Sequence, residues 1–228
     1  MVPKMRARFL TVTVMLAGAC AMSVPAHAAK RPAAKLKAAR AVYQELMNAP
    51  DAGVPEALLE KAECIAVIPG VVKVAFIWGG RHGRGVISCR NESGTWSPPS
   101  FLHLTGGSFG LQIGAQATDV VLFVMTRRGA KALVKSEFTL GADASAAAGP
   151  VGRTAQGLTD ITLRAGVYSY ARAKGLFGGL SLSGARLGSS DKMIAKYYGK
   201  RIPAEVILFS HQVPQMTEDA RAFLAVLP

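Results

Sequence analysis

The sequence predicts an α+β fold: a largely antiparallel, glycine-bent sheet able to curl into a barrel-like form, with peripheral helices at the N-terminus, in mid-chain and at the C-terminus. Three observations predict it. From Cys64 onward, short runs rich in Val and Ile are separated by turns containing Gly and Pro. Helical periodicity is confined to a few segments flanking those runs. Many of the 24 glycines lie within the strand-like runs, where they permit bends and close backbone approach.

The amino end reads as a targeting segment. Lys4, Arg6 and Arg8 precede an uncharged run from Phe9 to Met22, and Ala26-His27-Ala28 follows with small outer residues. That order of regions matches a secretory signal peptide spanning residues 1–28. The run is shorter than the ~20 residues a membrane span needs. A second reading stays open: Leu16-Ala17-Gly18-Ala19-Cys20 resembles a lipoprotein signal of residues 1–19, which makes Cys20 the alternative lipid-attachment site. Both readings predict an exported protein, periplasmic or envelope-associated, with one domain over residues 33–228.

Residues 29–228 keep 24 of the 27 Lys and Arg and all 14 Asp and Glu, a net charge of +10. Such an excess favours polyanions, although charge also serves solubility. Export argues against nucleic acid, and no finger, helix-turn-helix or stacking platform is present. An anionic phospholipid membrane is the partner that remains. Two cysteines follow the signal, Cys64 and Cys89, and an oxidising compartment suits a disulfide between them. Closing a loop of about 25 residues adds ~3 kcal/mol in the chain-entropy account.

The elements follow in order. Leu36, Ala39, Val42, Tyr43, Leu46 and Met47 share one arc of a helix over Ala33–Asn48, ended by Pro50-Asp51-Ala52-Gly53. Pro55 opens a short helix to about Ala62. Ile65–Ile68 reads as a strand stopped by Pro69-Gly70. Val71–Trp78 and Val86–Arg90 read as a hairpin around the glycine-rich turn Gly79–Gly85. Trp96-Ser97-Pro98-Pro99 is extended or turning. Phe101–Leu104, Ser108–Ala115 and Asp119–Met125 read as strands, with Gly106-Gly107 as a bulge or tight turn. Thr126–Lys135 is helical. The small-residue stretch Gly141–Pro150 permits close backbone approach, and strand patterning resumes over Leu158–Tyr170 and Gly175–Leu187. Asp191–Tyr198 is a helix stopped by Gly199, and Pro214–Leu227 a final one with Thr217 as N-cap.

Several ordered stretches resemble the SYLF domain family. They are Ala66-Val67-Ile68-Pro69, Gly79 through Val86, Trp96-Ser97-Pro98-Pro99, Gly110 through Ala115, Gly141 through Ser145 with Gly149 through Arg153, Tyr168-Ser169-Tyr170 through Phe177, and Tyr197-Tyr198-Gly199. The similarity runs from about Lys35 onward. It implies a phospholipid-binding module, with phosphoinositides as ligands and an actin-linked role in eukaryotic members. For an exported protein the implied surface is a bacterial envelope, where phosphatidylglycerol or cardiolipin supplies the anionic headgroup.

Three basic groups are candidates for lipid contact. Lys30, Arg31, Lys35, Lys37 and Arg40 lie beside the apolar stripe of the first helix, whose Tyr43, Leu46 and Met47 are candidates for membrane insertion; packing of that stripe on the sheet is the alternative. Arg81 and Arg84 occupy the expected hairpin tip, where two guanidinium groups and glycine amides suit a phosphate. Arg127, Arg128, Lys131 and Lys135 follow without an intervening acid, and the last three share one helical face. The three histidines His82, His103 and His211 are isolated in sequence, and no metal-ligand spacing or cofactor motif occurs. Asp119, Asp143 and Asp160 lie in polar or small-residue contexts that suit capping of backbone amides. A non-enzymatic module without a cofactor is therefore expected, with an envelope interaction protein as the alternative.

Overall fold

A computed structural model describes residues 26–49, 53–75, 78–109, 114–134, 138–151, 164–173, 175–210 and 216–228. Two helices, α1 (Ala26–Asn48) and α2 (Glu56–Lys61), precede four long strands: β1 (Cys64–Ala75), β2 (Trp78–Cys89), β3 (Ser100–Phe109) and β4 (Gly114–Val124). Helix α3 (Arg127–Leu133) leads to β5 (Phe138–Thr139), β6 (Ala146–Ala148), β7 (Val167–Ala173), β8 (Leu176–Gly179) and β9 (Arg186–Ser189). Helix α4 (Asp191–Tyr198), a π-helical turn (Val206–Ser210) and α5 (Glu218–Leu224) complete the described elements.

The sheet order is β5-β9-β3-β2-β1-β4-β7-β6, with β8 also paired to β7. Among the described strands every pairing is antiparallel except β6 with β7. The expected α+β class with a curled, open sheet is what forms.

Both faces of the sheet are covered over its central part, as strand alternation requires. Ile65, Val67, Val86, Phe101, Val121, Phe123 and Tyr170 meet Leu36, Tyr43, Leu46, Met193, Ile194 and Phe223 on the helical side. Ala66, Ile68, Ile87, Leu102, Leu104, Val120 and Leu122 meet Ala130, Leu133, Phe138, Leu182 and Leu187 on the other. Burying each large apolar side chain contributes about 1.5–3 kcal/mol, so α1 is held mainly by its stripe. Tyr43 and Leu46 are each 1% exposed, and Met47 packs against the same core. The expectation that these residues insert into a membrane is corrected: the stripe is the packing face of α1.

Cys64 and Cys89 stand opposite each other in the β1–β2 register and are disulfide-bonded, with Cα atoms 4.0 Å apart. Ser97 closes this end of the sheet, accepting from the Cys89 amide at 3.1 Å. The small-residue stretch behaves as its composition implies. Gly149 lies where a Cβ would collide with the Tyr170 ring, and the Tyr170 hydroxyl donates to the Pro150 carbonyl at 2.9 Å.

Three local expectations are revised. Helix α1 begins before Ala33, continues through Pro32, and includes Ala26-His27-Ala28 in its first turn. Strand β1 runs through Pro69-Gly70, where its register shifts by one residue against both β2 and β4. This is a bulge, which tolerates a proline without an amide hydrogen and a glycine at φ +64°.

Gly79–Gly85 is accordingly strand rather than turn, because its glycines make room for that bulge. A Cβ on Gly83 would lie 2.7 Å from Val71 Cγ2, and one on Gly85 would strike the Val67 carbonyl. Gly106-Gly107 also stays in regular strand register, from Trp78↔Phe109 through to Ile87↔Ser100.

Candidate functional site: a basic cleft

A cleft of about 980 Å³ opens between the amino-terminal half of α1, the start of α4 and the helical face of β1–β3. Arg31 and Lys35 come from α1, Arg84 from β2, and Lys192 and Lys196 from α4. Cross-strand pairing sets His103 opposite Arg84, and His82 also lines the wall. Asp191 is the one acid among the lining residues, and its carboxylate accepts from the Ser189 hydroxyl at 2.9 Å. Helix α4 opens toward the cleft with its amino end, whose partial positive charge adds to the cations.

The bulge builds the cleft floor. The Lys35 ammonium donates to the Pro69 carbonyl at 3.2 Å, and the Gly70 amide donates to Asp119 Oδ1 at 2.8 Å. Asp119 also pairs with Arg172 Nε at 3.2 Å, and Arg172 pairs with Glu45 of α1. This chain of charges ties α1, β1, β4 and β7 together. Burial holds the Lys35 ammonium below the ordinary lysine range, Arg84 adds to that effect, and Asp119 opposes it. A desolvated cation beside a second cation gains from a bound anion.

The basic groups read from the sequence separate here. Arg31, Lys35 and Arg84 meet in the cleft, whereas Lys37 pairs with Asp219 at 3.7 Å and Arg40 is exposed outside the lining. Arg81 and Arg84 do not grip one ligand together. Three residues apart on a strand, they point to opposite faces, and the Arg81 side chain lies over Gly106. Arg127, Arg128 and Lys131 belong to α3, which packs on the far face of the sheet, and Arg127 approaches Glu92 at 3.7 Å. Cys20, Lys135, Asp160 and His211 lie outside the described residues, as does the Lys30 side chain.

Lys192 and Lys196 escaped the sequence reading, although their i, i+4 spacing on a recognised helix was an available signal. The isolation of His82 and His103 is corrected, since the fold brings both to one cleft. Asp143 caps a backbone amide, accepting from Thr139 at 2.6 Å, and Asp119 does likewise for Gly70. Among the described residues no group of three His, Cys, Asp or Glu is placed to hold a metal ion. Nor is any helix among them long and apolar enough to cross a membrane.

The sequence profile of the Ysc84 family, described as "Las17-binding protein actin regulator", matches residues 105–228. The chain belongs to the Ysc84 family. This is the SYLF family of the sequence resemblance, and its relatives span yeast and vertebrates. SH3 domain-containing YSC84-like protein 1 of Xenopus laevis is 36% identical over 164 residues, 71% of this chain and 49% of the relative. The human protein of the same name is 33% identical over 174 residues, 75% and 51% of the two chains. LAS seventeen-binding protein 3 of Saccharomyces cerevisiae is 34% identical over 183 residues, 78% and 39% of the two chains. The chain thus matches about half, or less, of the length of these Ysc84 relatives. No solved structure matches it.

Proposed function

We propose that the chain is a non-enzymatic module that docks peripherally on anionic phospholipid surfaces, with the basic cleft at the centre of contact. The observation that carries this reading is the convergence of five cations from three elements around a single lining acid. Each cation near an anionic surface contributes about 1 kcal/mol, so the group suffices for reversible attachment. In this reading the first 28 residues direct export, and the surface met is a bacterial envelope. Lys37, Arg40 and the α3 cations add only diffuse attraction, because they lie outside the cleft.

Flotation with neutral vesicles and with vesicles containing phosphatidylglycerol tests the reading at about 50 and about 300 mM salt. Binding is expected only with the anionic lipid, and it weakens at the higher salt. Replacing Lys35, Arg84 and Lys192 together by Gln lowers the affinity about tenfold or more. Equal binding to neutral vesicles, or no effect of the triple replacement, overturns it.

The family description favours a second reading, in which the same basic face docks an acidic protein of the actin machinery. Cosedimentation with filamentous actin, without flotation on anionic vesicles, is the result that supports it.

A further inference from the structure

Beyond the cleft, on the same face of the sheet, the chemistry of the described residues changes over three rows. The row nearest the helices pairs Arg84 with His103 and Gly188. The next sets Ala117, Val72, His82, Thr105 and Arg186 side by side. The third aligns Val74, Gly80 and Gly107. Val72 and Val74 are 47% and 56% exposed, and a Cβ on Gly80 or Gly107 would meet nothing within 4 Å. Cations therefore give way, within about 13 Å along the strands, to an apolar wall beside a floor without side chains.

We infer that the cleft and this shelf together hold a single phosphate-bearing amphiphile, with its phosphate among Arg31, Lys35, Arg84, Lys192 and Lys196 and its hydrocarbon along Val72 and Val74 over Gly80 and Gly107. The inference rests on the anionic-lipid reading of the cleft and adds recognition of the acyl part. Charge complementarity selects this occupant. A free sugar phosphate leaves the valines in water, whereas an apolar peptide leaves five cations without a counterion. Val72 belongs to both regions, lining the cleft and heading the shelf, so head and tail sites are contiguous.

Calorimetric titration with dihexanoyl phosphatidic acid, kept monomeric, and with glycerol 3-phosphate separates lipid from free phosphate. The short-chain lipid is expected to bind at least about tenfold more tightly, the gain from burying two or more methylene groups. Val74→Ser, outside the cleft lining, is expected to erase most of that gain and leave glycerol 3-phosphate affinity unchanged; Val72→Ser, which also lines the cleft, is read on the lipid gain alone. Equal affinity for the two ligands, or a gain that survives both valine replacements, overturns the inference. If anionic vesicles still bind in that case, the surface-docking reading stands without a lipid-tail shelf. If vesicles fail as well, both fall.

Discussion

Asp119 accepts the Gly70 amide at 2.8 Å, joining β4 to the bulge of β1 across 49 positions of sequence. The same carboxylate pairs with Arg172, so one side chain fixes both the cleft floor and an ion pair. Asp119→Ala is expected to cost about 1–2 kcal/mol in urea unfolding. Asp119→Asn keeps an acceptor for Gly70 and should cost less, the difference between the variants reporting the pairing with Arg172.

Gly85 faces the Val67 carbonyl too closely for any side chain, whereas Gly80 opens onto space. Gly85→Ala should destabilise by about 1–3 kcal/mol through forced backbone movement. Gly80→Ala should stay within about 0.5 kcal/mol. Equal thermal shifts for the two would contradict the packing described for the bulge.

The helix that carries Arg31 and Lys35 is anchored by Tyr43 rather than freed by it. Tyr43→Ala is expected to lower stability by about 3–5 kcal/mol, as for other large buried side chains. Vesicle affinity of the fraction that remains folded should be unchanged. A large loss of affinity with little loss of stability would restore the insertion role.

Lys35 supplies a pH dependence whose direction is fixed. Its folded-state proton affinity is lowered, so the unfolded chain holds the proton more tightly. Stability contributed at this position therefore rises as pH climbs from the lowered value toward the ordinary one. A bound phosphate favours the charged ammonium, so binding takes up protons in that window and weakens as pH rises through it. Calorimetry in alkaline buffers of different ionisation enthalpy should detect the uptake in the native chain and none in Lys35→Met.

Reduction of the Cys64–Cys89 bridge frees a loop of 25 residues. The paired strands themselves remain hydrogen-bonded to β3 and β4. The unfolding midpoint should fall by an amount equivalent to about 3 kcal/mol, with the slope reporting a less constrained unfolded chain.

The end of α4 and the start of α5 are legible in the sequence because caps are local chemistry, whereas the start of α1, which carries no such cap, is not. Gly199 at φ +72° stops α4, and the Thr217 hydroxyl accepts from the Ala220 amide to start α5. Glycine-rich strands were misread for an equally physical reason. Gly79–Gly85 has turn composition, yet Gly83 and Gly85 are needed because a neighbouring strand presses close, which only the tertiary fold reveals. The stripe of α1 looks the same whether a sheet or a bilayer covers it, so Tyr43 and Leu46 were ambiguous until burial was known. Arg31, Lys35 and Arg84 carried legible charge. Their meeting depends on strand register and helix docking, which pattern alone does not encode, and the same register sent Arg81 to the opposite face.

The extra residue at Pro69-Gly70 reverses the parity of β1. Up to Ile68 the even-numbered side chains turn away from α1, and after the bulge Val72 and Val74, again even, turn toward its side. Flattening the bulge without removing a residue, so that the register of Val67↔Val86 ran on unbroken, would exchange the two sides of the distal strand. Val71 and Lys73 would then take the places of Val72 and Val74, setting an ammonium on the apolar wall and interrupting the gradient from charge to hydrocarbon while every residue kept its identity.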